Sequence, residues 1–142
     1  MRKLLYTALL LTALTSCTKT DEYYAPTEAT VQDMVERWKV DAIYIGGYTP
    51  SEADAYVDDI EFEFEEGAEG YLGWAWPSSK VVRINSIYWK GSGRNQNTVY
   101  HEIGHVLGLH HGDTPVMEAY NQAGNDLQAL DEYFRLIRDR NE

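Results

Sequence analysis

Residues 101–111, His-Glu-Ile-Gly-His-Val-Leu-Gly-Leu-His-His, restrict the fold more than any other stretch of this chain. His101 and His105 are four apart, so on a helix they lie about 40° apart on one face, one turn above the other. That spacing lets two imidazoles reach one metal ion. Glu102, the next residue round, is close enough to bond a metal-bound water without being a ligand itself. Val99, Ile103, Val106 and Leu107, at i, i+4, i+7 and i+8, form an apolar stripe on the other side. One helix must pack with one face and present chemistry with the opposite one.

A helix that ran on unbroken could not use His111, which would lie about 9 Å beyond His105 and roughly 120° off its face. Gly108 removes the obstacle. Glycine accepts the left-handed conformation that ends a helix, so the chain can turn and bring His111 back from below. Three neutral imidazoles then leave one position of a tetrahedral zinc open to water, which is the catalytic and not the structural pattern. All four histidines of the protein fall in this segment. His110 is read as a partly exposed neighbour, because His111 occupies the motif position.

His101-Glu102-x-x-His105-x-x-Gly108-x-x-His111 resembles the signature of the metzincin metalloendopeptidases, and among them the matrixin type. The resemblance implies one catalytic zinc, Glu102 as general base for an attacking water, and protein or peptide substrates. In that family the motif leads into a turn with a methionine beneath the metal, and Met117 in Asp113-Thr114-Pro115-Val116-Met117 is similar. Glu118-Ala119-Tyr120 departs from the usual Met-x-Pro, and the distance from the third histidine is a little short. Some metzincins place a tyrosine shortly after the methionine, so Tyr120 is a candidate for lining the cleft or assisting the oxyanion. Its spacing is one residue off, and packing is the other role open to it.

Gly70-Tyr71-Leu72-Gly73-Trp74-Ala75-Trp76-Pro77 resembles a second matrixin segment, G-x-L-A-H-A followed by a proline. There it is the edge strand above the cleft, where substrate pairs as an extra strand. The resemblance implies that Leu72 and Gly73 offer main-chain groups to substrate. The family's histidine in this segment binds a second, structural zinc. Trp74 stands in that place here, so a single zinc is expected. Trp74 and Trp76 can equally be plain core or surface aromatics.

Net charge bears on partners. The chain has 142 residues, one domain on length, with a formal charge of −11. Met1-Arg2-Lys3, an apolar run from Leu4 to Leu14 and Leu14-Thr15-Ser16-Cys17 read as a signal peptide over residues 1–16. The ending resembles a bacterial lipobox, which implies that Cys17 is lipidated and becomes the mature N-terminus. An ordinary secretory signal with an incidental cysteine is the alternative. Loss of Arg2 and Lys3 takes the charge from −11 to −13, which repels nucleic acids and anionic headgroups. Membrane attachment is thus expected only through Cys17, on an exported outer-membrane lipoprotein that works as a monomer. Cys17 is the only cysteine, so no disulfide forms within the chain.

Residues 17–29 read as a polar tether and 30–142 as the metalloprotease domain. Val31, Met34, Val35 and Trp38 predict an amphipathic helix capped by Thr30. Asp41–Ile45 reads as a buried strand ended by Gly46-Gly47, and 48–57 as loop. Strict alternation over Asp59–Glu65 predicts a strand with Ile60, Phe62 and Phe64 inward and a solvated glutamate face, preferred over a calcium site. Val81–Asn85 predicts another strand. Asn95 or Asn97 is expected to cap the histidine helix, and Asn125 a last helix with Leu127, Leu130, Phe134 and Ile137 inward. The fold class is α+β: a small twisted mixed sheet, an N-terminal helix, the zinc helix, the methionine turn and a C-terminal helix. The chain is short for the family, and no propeptide with an inhibitory cysteine is recognisable. The competing function is a zinc-binding surface lipoprotein without activity, a binding module or adhesin.

Overall fold

The computed structural model describes residues 30–67, 70–119 and 126–142. Its elements are α1 (Val31–Tyr44), α2 (Pro50–Val57), β1 (Glu61–Glu65), β2 (Gly73–Trp76), β3 (Val81–Asn85), α3 (Gly93–Val106) and α4 (Leu127–Asn141), with 3-10 turns at Ser86–Tyr88 and Pro115–Met117. The layout is α+β, as expected. No described helix is long and apolar enough to cross a membrane.

Thr30 starts α1 as predicted. Its hydroxyl accepts the Asp33 N–H, and the Asp33 carboxylate takes the Thr30 N–H in return. The buried stripe of Val31, Met34, Val35 and Trp38 then continues to Asp41 and Ala42. That continuation corrects the strand expected at 41–45. In a strand alternate residues would be buried, but here Ala42 is fully buried beside Asp41 while Tyr44 is exposed, a helical period. Asp41 tolerates burial because its carboxylate takes the Tyr100 hydroxyl at 2.7 Å and Arg37 Nε at 3.1 Å. The chain leaves through Gly46, where a Cβ would meet Phe134 Cβ at 2.7 Å.

The expected loop at 48–57 is also corrected. Thr49 and Glu52 form a second capping box, and Pro50 sits where a first-turn N–H has no intrahelical partner anyway. Thr49-Pro50-Ser51-Glu52 carried that signal in plain view. Only Ala53 and Val57 of α2 are buried, which is why no long apolar stripe announced it.

In the described sheet β3 is central, parallel to β1 and antiparallel to β2, so β2 is an edge. Val82 and Ile84 of β3 are fully buried beneath it. Inward burial along β1 fades: Ile60 is buried, Phe62 is partly so, and Phe64 is 53% exposed with its ring edge-on to Trp89. On the outer face Arg83 pairs with Glu63 at 2.7 Å and Glu65 at 2.9 Å.

The helices meet over a buried polar junction. Trp38 Nε1 donates to the Tyr133 hydroxyl at 3.1 Å, and that hydroxyl donates to the Tyr100 carbonyl at 2.7 Å. One hydroxyl thus ties α1 and α4 to α3, one residue before His101. Replacing Tyr133 by Phe leaves the Trp38 N–H buried without its acceptor. The expected cost is about 1–3 kcal/mol of unfolding free energy, read from urea midpoints at unchanged slope. A change within about 0.3 kcal/mol would remove this junction from the supports of α3.

Candidate metal centre

The histidine helix is fixed at both ends. Ser92, and neither Asn95 nor Asn97, is the cap residue of α3. Asn95 sits three residues in, accepts from Lys90 N at 2.8 Å and donates to the Tyr88 carbonyl at 3.2 Å. It thereby ties the incoming chain to the first turn. At the other end Gly108 has φ +92°, Leu109 N bonds to the Gly104 carbonyl at 2.9 Å and Gly108 N to the His105 carbonyl at 3.1 Å. This is a Schellman termination, and the turn carries the chain back towards its own helix face. Asp126 caps α4 through Ala129 N. The cap expected at Asn125 lies outside the described residues.

The reversal converges the three predicted ligands. The Nε2 atoms of His101, His105 and His111 stand 3.1 Å apart in each of the three pairs. His101 Nδ1 lies 3.0 Å from the Val116 carbonyl, and His105 Nδ1 2.9 Å from the Leu109 carbonyl. A carbonyl only accepts, so each of these Nδ1 atoms carries the hydrogen and each neutral ring presents a bare lone pair at Nε2. Burial pushes His101 down to about 4 and lowers His105 as well, which keeps both rings neutral. Lone pairs aimed at one another at this distance repel unless they share a cation. Tetrahedral zinc with bonds of about 2.0–2.1 Å needs nitrogens about 3.3–3.4 Å apart, close to what is seen. The donor set fits the ion.

Glu102 is 5% exposed, and its Oε2 has no hydrogen-bond partner. Burial pushes its carboxyl up to about 8. It lies beneath β2, where a side chain on Gly73 would meet Glu102 Cγ and Thr98 Cγ2, each at 3.2 Å. Glycine at 73 lets the edge strand settle onto α3. Between them opens a cleft of about 450 Å³, lined by Glu102, His105 and His111 together with Tyr71, Trp74 and Leu109.

Met117 is fully buried and closes the turn of Pro115–Met117. A Cβ on Gly104 would lie 2.5 Å from its sulfur, so the helix and the turn touch through a glycine. Just before β2 the Leu72 carbonyl accepts from Asn85 N at 3.0 Å and is committed to the sheet. By antiparallel alternation, the main-chain groups of Gly73 and Ala75 face the free edge. The Trp74 ring lies over Gly67 as well as lining the cleft. His110 is exposed and stands outside the triangle of ligands. Tyr120 and Cys17 lie outside the described residues. Sequence reasoning did not find the Val116 and Leu109 carbonyls, since main-chain acceptors carry no residue signature. It also passed over Asp113, whose carboxyl is held below the usual range by the His110 N–H and by Arg140.

The family model described as Metallo-peptidase family M12B Reprolysin-like matches residues 5–112, ending one residue past the third histidine. No curated protein and no solved structure matches the chain.

The unpartnered Glu102 makes stability depend on pH in the metal-free protein. Its folded value near 8 exceeds the ordinary 4.5, so its contribution is complete below 4.5 and lost as pH rises through 8. His101 and His105 act oppositely at lower pH, so the readout is wild type minus Glu102→Gln. In chelator-treated protein that difference in unfolding free energy is expected to fall across this window, by at most about 1.4 kcal/mol per pH unit. A flat difference would show that Glu102 titrates at its ordinary value.

Proposed function

The chain belongs to the reprolysin-like M12B metallopeptidases, a metzincin-type zinc family, and from that premise we propose that it is an endopeptidase with Glu102 as its general base. The observation that carries the reading is the Glu102 carboxylate, buried and unpartnered beside three converging imidazoles. His101, His105 and His111 would hold the ion. Bound zinc supplies Lewis acidity, which brings the pKa of water from about 15.7 to near 7 and polarises a carbonyl.

The chain's own residues do the rest. Gly73 and Ala75 pair with an extended substrate along the β2 edge and lay its scissile carbonyl across the cleft. Glu102 Oε2 takes a proton as the water oxygen bonds to the carbonyl carbon. It then delivers that proton to the amide nitrogen as the C–N bond breaks. A bound cation beside the carboxyl would favour the ionised form that accepts the first proton. The β2 edge and the buried methionine turn also support the finer matrixin-like resemblance, and Tyr120 is the candidate to assist the oxyanion. Export and anchoring through lipidated Cys17 complete the proposal and rest on the N-terminal sequence alone.

The test is cleavage of a peptide library by residues 18–142, with zinc measured in the same samples. Wild type is expected to cleave. Glu102→Gln is expected to keep its zinc and lose about 10²–10⁴-fold in rate, while His111→Ala loses the ion. Equal cleavage by Glu102→Gln would remove Glu102 as base. Zinc without cleavage in the wild type would favour a binding module.

A further inference from the structure

We propose that Asp113 and Arg140 form a clamp that positions His111 and so sets how tightly the ion is held; this rests on the zinc reading above. The three ligands are not equally supported. His101 and His105 sit on α3 with Nδ1 tied to a carbonyl, whereas His111 is exposed and rides on a loop. Its described hydrogen-bonding contacts are those of Nε2 with the other two rings. The loop is bracketed by two glycines of positive φ, Gly108 at +92° and Gly112 at +83°. Backbone of that kind does not hold itself.

Other groups close it. Asp113 Oδ2 accepts the His110 N–H at 2.6 Å, and Asp113 N returns a bond to the His110 carbonyl at 3.2 Å. Arg140 Nη1 reaches the same Oδ2 at 2.8 Å and also donates to the Gly108 carbonyl. It lies 3.3 Å from His110 Nδ1 as well. Asn141 Nδ2 donates to the Leu107 carbonyl at 3.0 Å. The last turn of α4 therefore grips the loop on both sides of the third ligand. That helix is itself rigidly seated, with Tyr133, Phe134 and Ile137 fully buried.

Charge alone predicts something different from a clamp. Arg140 is a cation near the ion, so removing it should tighten zinc binding if only Coulomb energy mattered, and removing Asp113 should weaken it. A clamp predicts weakening in both cases, because either loss frees the same loop. Outer partners of ligands commonly contribute about 10–100-fold in metal affinity.

The experiment measures zinc affinity of the full chain by competition with a chromophoric chelator, alongside thermal melting of the metal-free protein. Arg140→Ala and Asp113→Ala are each expected to bind zinc about 10–100-fold more weakly. The double variant should be no weaker than the poorer single, since the pair acts as one unit, and Arg140→Lys should recover part of the loss. Tighter binding by Arg140→Ala would reduce the pair to a charge effect and overturn the clamp. Unchanged affinity with a lowered melting point would make it merely structural, and overturns it too. Absence of zinc binding in the wild type would instead bring down the zinc reading itself.

Discussion

The site depends on a contact that only a hydrogen atom allows. At Gly104 the helix α3 meets the Met117 sulfur where a Cβ would stand 2.5 Å away, and Tyr133 Cε2 would be 3.0 Å from the same point. Protein interiors pack too densely for such an overlap to be absorbed without movement. Two orientations follow from the close approach. With the turn this near, the Val116 carbonyl reaches His101 Nδ1. The carbonyl of Gly104 itself receives Leu109 N, which places the Leu109 carbonyl on His105 Nδ1. One small residue between His101 and His105 thus bears on the tautomer of both rings.

Two buried carboxylates differ in what their surroundings give them to bind. Asp41 is 6% exposed and Glu102 5%, so burial does not separate them. Asp41 is engaged by the Tyr100 hydroxyl and by Arg37, and holds α1 to α3. Glu102 Oε2 has no such partner and faces the cleft. Leaving a buried polar atom unsatisfied costs about 1–3 kcal/mol, so the fold carries a local penalty at the wall of the cleft. Of these two acids, only Glu102 keeps a buried oxygen without a partner.

Much of the site was legible in residues 101–111, because ligand spacing, the helical apolar stripe and the turning glycine are all local properties. Thr30, the stripe of α1 and the strand at 81–85 were legible for the same reason. The errors came where tertiary partners decide. Asp41–Ile45 carries β-branched and aromatic residues that favour a strand, but the Tyr100 hydroxyl, 59 residues away, lets Asp41 be buried on a helix. The helix at 50–57 shows in its Thr49 and Glu52 caps and not in its sparse apolar content. The α4 grip on the 107–113 loop could not be anticipated from one sequence, since Arg140 looks like any basic residue in a last turn.

The Trp38–Tyr133 bond joins residues 95 apart, and Tyr48 reaches the Phe134 carbonyl across 86. Closing a loop of that length costs about 4 kcal/mol of chain entropy before any packing offsets it. His101, His105 and His111, by contrast, fall within eleven residues of one helix and its turn. Topology therefore gives the two processes different clocks. His101 and His105 need only their own helical turn to come together, while the loop that carries His111 and the junction beneath the helix wait for α4 to arrive with Arg140 and Tyr133.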